Sequence, residues 1–233
     1  MISAVPNAPS NRVGAVILLT FMFVGNTTAS TTIDVSEATT AISIEQVDPL
    51  YLDGSLNIGQ LIADDIVVDG ELFTRIYLPG FHSSDVVGAP ELPEVHRLIE
   101  LPQGAVPAVE ILSEDFEYVS ISEYAASSRI FPRQPSLSKS QSRGDIEFKY
   151  NEEAYSRKDY NNGQLISIEE KGMLRSIRLA NLILRPVQYN PSIGMVKVWK
   201  SIDFRITFDG ADIEMTESIK DKYYSPYYDN VYS

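Results

Sequence analysis

Cysteine is absent from all 233 residues. That excludes disulfides, thiolate nucleophiles, zinc–cysteine sites and iron–sulfur clusters within this chain. Histidine is almost absent as well, at His82 and His96 only. A serine hydrolase needs such a base beside a serine on a sharp turn, and the sequence holds no Gly-x-Ser-x-Gly element. Basic charge is scarce: 19 Lys and Arg stand against 32 Asp and Glu, a formal net charge of −13. This balance argues against nucleic acid and anionic membrane surfaces, and suits a soluble exported protein or a partner with a basic face. Regular calcium-loop spacing and a phosphate-binding glycine loop are both missing. Adjacent acids such as Asp64-Asp65 and Glu152-Glu153 give no sign of carboxylates placed across a cleft, and read as solvated charge. No metal or cofactor is expected. After residue 30 no run is apolar enough to span a bilayer.

What is present begins with an export signal. Arg12 precedes the short apolar run Val13 to Gly25, and Asn26 to Ser30 are small and polar, suited to cleavage near Ala29 or Ser30. The run is short for a membrane anchor, and no basic cluster follows it. Residues 1–30 therefore read as signal peptide, and residues 31–43, rich in Thr, Ser and Ala, as a mobile leader with little to bury. With 44% hydrophobic residues, the remainder can build a core.

From Ile44 onward strand signals dominate. Asp53-Gly54 and Asp69-Gly70 are Asp-Gly turn signals, and apolar runs on both sides of the second predict a hairpin. Val95 to Leu101 and Val109 to Tyr124 read as strands; a change of apolar phase in the second predicts a bulge or bend. Residues 125–146 are polar, with two prolines and little periodicity, and read as a long exposed loop of the kind that is often functional. Val196, Val198, Ile202, Phe204, Ile206 and Phe208 alternate with polar neighbours, so one face of that strand is buried. Lys200 interrupts the series and predicts a bulge; the same count puts Trp199 on the wet face. Glu214 to Lys222 could form a short helix or a charged tail. Together these predict an all-β, two-layer antiparallel β-sandwich of Ig-like architecture over 44–213, with at most short helices, and a linker over 214–233.

Two motifs carry a resemblance. Gly88-Ala89-Pro90-Glu91-Leu92-Pro93 matches a Gly-x-Pro-x-Leu-Pro element, and Pro186-Val187-Gln188-Tyr189-Asn190-Pro191 matches Pro-x-Gln-Tyr-Asn-Pro. In this order, with a long alternating strand after the second, the chain resembles the N-terminal propeptide of gingipain-type cysteine peptidases over about residues 44–233. Gly88, Pro90, Leu92, Pro93, Pro186, Gln188, Tyr189, Asn190 and Pro191 are the residues that match.

The resemblance implies a secreted or cell-surface, non-catalytic β-sandwich. It would help a gingipain-like cysteine peptidase fold and would block its active site, in cis or in trans. It also implies a loop that presents a basic side chain to the specificity pocket. Within 125–146 the bases are Arg129, Arg133, Lys139 and Arg143. Lys139 falls nearest the family's position, with Arg143 next; for a peptidase not specific for basic residues, Leu137 is the alternative. The catalytic cysteine and histidine would lie beyond residue 233, so a fragment, a separated domain and a free-standing inhibitor all stay open. A different class is also open: a cell-surface binding or adhesion module, with Trp199, Tyr150, Tyr155 and Tyr160 as a stacking platform for sugars.

Overall fold

The computed structural model describes residues 30–140, 147–160 and 163–223. The expected signal peptide lies outside them. The fold is all-β and sandwich-like, with every strand pair antiparallel. The strands divide among three sheets around one core, a finer division than the two layers expected.

The first sheet orders β1 (Ser30–Asp34), β4 (Gln60–Val68) and β5 (Glu71–Tyr77). The predicted hairpin is present: Val68 pairs with Glu71 across Asp69-Gly70, whose φ values of 52° and 83° are those of a two-residue turn matched to strand twist. The second sheet orders β6 (His82–Ser83), β7 (Pro93–Leu101), β10 (Ile177–Leu184) and β9 (Ile166–Leu174). In the third, β12 (Met195–Asp209) is the spine. It pairs along its whole length with β8 (Val106–Ser120). Its other edge carries β11 (Val187–Asn190) and then β3 (Tyr51–Asn57), beyond which lies β2 (Ala41–Asp48). The even-numbered apolar residues of β12 are all buried, as their period predicts.

Four expectations need correction. Residues 31–43 are not a free leader: β1 pairs with β4, and Ile33 is 0% exposed. Fully burying such a side chain contributes roughly 1.5–3 kcal/mol, and it acts together with the buried Val35 and the ladder from Ser30 to Asp34 to hold the segment. Asp53-Gly54 is not a turn but lies inside β3, where Gly54 pairs with Phe204 and the glycine is needed because a Cβ there would come within 2.2 Å of the Phe204 ring. Trp199 is 4% exposed rather than wet. The ladder skips Lys200, the bulge the sequence predicts, and Phe116, Lys197 and Glu114 cover the indole.

The expected linker begins as a docked helix. Helix α2 (Ile213–Tyr223) follows Asp212, whose carboxylate accepts from the Met215 amide at 2.8 Å. Thr216 accepts from the Gln103 amide at 2.8 Å, and Lys220 reaches Glu100 at 2.8 Å.

Candidate functional site

The Gly88 motif runs beside the start of the long loop. Gly88 has φ 83°, which disfavours any side chain, and its amide donates to the Arg133 carbonyl at 2.7 Å. The Arg133 amide donates to Ala89 at 2.8 Å, and the Glu91 amide to Phe131 at 2.9 Å. Pro90 and Pro132 face each other in an isolated bridge, where neither is asked for a donor. Pro93 opens β7, the strand position that proline tolerates. Leu92 enters the core, as its place in the motif requires. Glu91 is buried between two cations: Arg133 donates to it at 2.8 Å, and Arg75 lies at 3.7 Å. A buried carboxylate without such partners would be costly.

The second motif reaches the same loop from below. The Pro186 carbonyl accepts from the Trp199 amide at 2.9 Å, which fixes β11 against β12. Gln188 donates to Gly163 at 3.4 Å. Asn190 donates to the Lys158 carbonyl at 3.0 Å and accepts from the Ser192 amide at 3.1 Å, shaping the turn at Pro191. Tyr189 donates its hydroxyl to the Ser128 carbonyl at 2.7 Å. Tyr155, in the short helix α1 (Glu152–Tyr155), donates to the Ile130 carbonyl at 2.6 Å. Burial raises the pKa of both phenols, that of Tyr189 to about 12. The two motifs thus share one job of position, and residues of both line a cleft of about 570 Å³.

The loop is only partly the exposed segment expected at 125–146. Ile130 and Phe131 are buried, and residues 129–131 run parallel to β5 at Thr74, whose amide donates to the Arg129 carbonyl and whose carbonyl accepts from the Phe131 amide, both at 2.8 Å. Phe131 joins Phe73 and Phe148 in an aromatic cluster with centroids about 6 Å apart. Gln134 then clasps the far end: its amide nitrogen donates to the Lys149 carbonyl at 2.8 Å, and its oxygen accepts from the Lys149 amide at 2.9 Å. The chain between leaves and re-enters the body at one point.

Of the expected bases, Arg129 pairs with Glu71 at 3.0 Å and Arg133 with Glu91. Lys139 is exposed in the turn after Leu137, and among the described residues no carboxylate pairs with it. Arg143 lies outside the described residues. Gln134 was missed by sequence reasoning, and Tyr155 was expected in a sugar-stacking platform rather than as an anchor of the stem; the apolar Ile130-Phe131 pair inside a polar stretch was the available sign that this stem is held.

The adhesion platform does not form as expected. Trp199 is covered, Tyr150 and Tyr155 stack on each other at 4.3 Å, and Tyr160 packs on Tyr118. His82 and His96 lie together, ring centroids 5.1 Å apart, and His96 shares a hydrogen bond with Glu94 at 2.9 Å. Among the described residues no group of three or more acidic, histidine or cysteine side chains could hold a metal.

Comparison with known proteins gives a consistent picture. The family model described as Propeptide_C25 matches residues 57–222. The curated relatives Lys-gingipain HG66 and Lys-gingipain W83 of Porphyromonas gingivalis are each 34% identical over 180 residues, 77% of this chain. The match covers 10% of each relative, so the chain spans about a tenth of their length. A solved chain described for the zymogenic latency of gingipain K from the same organism superposes with a TM-score of 0.71 at 31% identity, covering 78% of this chain and 100% of that one. A chain from the complex of RgpB pro- and mature domains superposes with a TM-score of 0.64 at 15% identity, covering 78% and 96%; at that identity it speaks for the fold alone.

Proposed function

This chain belongs to the Propeptide_C25 family, as a non-catalytic propeptide domain of the gingipain type, and from that premise we propose that it inhibits a gingipain-like cysteine peptidase and assists its folding. The part of the 125–146 loop beyond Gln134 enters the active-site cleft, and Lys139 occupies the pocket that takes a substrate's basic side chain. Residues 1–30 act as the export signal in this reading, and the segment 214–233, which begins as helix α2, leads toward the peptidase.

One observation carries this reading. Both ends of the loop are fixed to the body through Gln134, Tyr189 and Tyr155, while Lys139 at its turn is exposed and has no carboxylate partner among the described residues. A loop held in advance loses less freedom on binding. A lysine with no carboxylate partner among the described residues gains a charge-assisted hydrogen bond on reaching a carboxylate in a closed pocket. The relatives bear the name Lys-gingipain, which fits a lysine in that place.

The test is inhibition of a gingipain-like catalytic domain by the purified chain and by its Lys139→Ala/Arg143→Ala variant. Tight inhibition by the parent and a loss of at least about 30-fold in the variant, roughly 2 kcal/mol for a charged hydrogen bond, is the expected result. Equal inhibition by both would move the plug elsewhere. No inhibition by a correctly folded parent would overturn the reading.

A further inference from the structure

β8 is paired along one edge only. β12 lies beside it; among the described residues no strand is hydrogen-bonded to its other edge, although β9 approaches β8. Partners across an antiparallel ladder share a face. Val109 stands opposite Ile206 and Ile111 opposite Phe204, and both β12 residues are wholly buried. The apolar face of the core therefore continues onto β8, but there it is uncovered, with Ile111 43% exposed. The register skips Leu112, which is 50% exposed. Phe116 and Tyr118 stand opposite Trp199 and Lys197 on the other face of the strand, partly exposed, with Lys197 over the Phe116 ring and Tyr160 against Tyr118.

The same strand carries Glu110, Glu114, Asp115 and Glu117 and no base. Glu114 is used by Trp199 and Asp115 by Lys200; Glu110 stands opposite Arg205, which is already held by Asp53, and Glu117 feels Lys200, but among the described residues neither acid makes a close ion pair. Two copies of this chain paired edge to edge would set these acids against one another. The surface is complementary to an extended segment in which basic side chains stand beside apolar ones.

We propose that the β8 edge from Val109 to Tyr118 is a second docking surface for the peptidase, taking such a basic, extended segment alongside the strand. This rests on the inhibitor reading above. The loop then supplies specificity at the cleft, while β8 steers association and holds the body of the domain in place.

The test uses a gingipain-like catalytic domain with its active-site cysteine replaced by alanine. Its Kd and association rate are measured with the parent chain, with Lys139→Ala and with Glu110→Lys/Glu117→Lys. Hydrogen exchange is followed at β8 in each complex. The charge reversal should weaken binding about tenfold, mostly through slower association, and the difference should shrink at high salt. The β8 amides should gain protection in the parent and Lys139→Ala complexes alike. Unchanged melting of the reversed variant excludes misfolding as the cause. If the parent binds while β8 stays unprotected and the reversed variant binds equally well, the proposal is overturned and the inhibitor reading stands. If a folded parent does not bind at all, the inhibitor reading fails and takes this proposal with it. Concentration-dependent dimers with β8 protected would overturn the choice of occupant.

Discussion

Tyr189 and Tyr155 approach the loop stem from different elements and donate to carbonyls two residues apart, Ser128 and Ile130. Removing either hydroxyl leaves a carbonyl unsatisfied in a part-buried place. Tyr189→Phe and Tyr155→Phe should each cost about 1 kcal/mol in urea unfolding, and the pair should not be additive, because both pin one segment. Additive losses would show that the stem is not a unit. Gly54 makes a different demand. Gly54→Ala forces a methyl toward the Phe204 ring and should destabilise the domain by about 1–3 kcal/mol, read by the same unfolding curve. This glycine also shows where sequence reading stops. Asp-Gly is a turn signal only when nothing else explains the glycine, and here the reason is a ring on a strand far along the chain. By contrast, the alternation from Val196 to Phe208 and the bulge at Lys200 were legible, since both are local properties of one strand.

At the scale of elements, the long loop and α2 divide what composition could and could not tell. The sequence marks 125–146 as polar and irregular, and among the described residues the run 136–140 around Lys139 is exposed throughout. Composition could not tell that Gln134 closes the loop, because the closing partner is the backbone of Lys149 and depends on the fold. Gln134→Ala should therefore weaken inhibition several-fold, on the order of 1 kcal/mol, with little change in melting temperature. A fall in inhibition that merely tracks lost stability would contradict a positioning role. Helix α2 was legible as a charged segment but not as a docked one. Its anchor is Thr216 against the Gln103 amide, a partner distant in sequence. Thr216→Val should leave the sandwich intact, speed hydrogen exchange in α2 and expose Lys220 and Lys222 to a lysine-cleaving protease. Unchanged exchange in α2 would show that the hydroxyl does not hold it.

For the whole molecule, charge sets the pH range of stability. Asp53 is held below its ordinary value of 3.8 chiefly by its hydrogen bonds with Arg205, at 2.6 and 2.8 Å. Glu170 is held below 4.5 chiefly by its hydrogen bonds with Arg178. A carboxylate whose folded pKa is lowered contributes stability above its unfolded pKa and loses it as the pH falls through the folded one. Stability should thus be flat near neutrality and decline as the pH drops below about 4.5, with a smaller decline for Arg205→Met, which lacks one of these pairs. At the other extreme, Tyr189 is raised from 10.0 to about 12, so its contribution should be lost as the pH rises from 10 through 12. Denaturant midpoints across this range check both limbs.

The central claim is that the turn holding Lys139 enters the active-site cleft, and it is tested most directly by contact. A photoreactive amino acid placed at position 139 would be activated in the complex with the catalytic domain and its attachment mapped by mass spectrometry. The account predicts attachment to peptides that line the active-site cleft, abolished when a small covalent inhibitor fills that cleft beforehand. Attachment elsewhere on the peptidase, or at undiminished yield with the cleft filled, would contradict it.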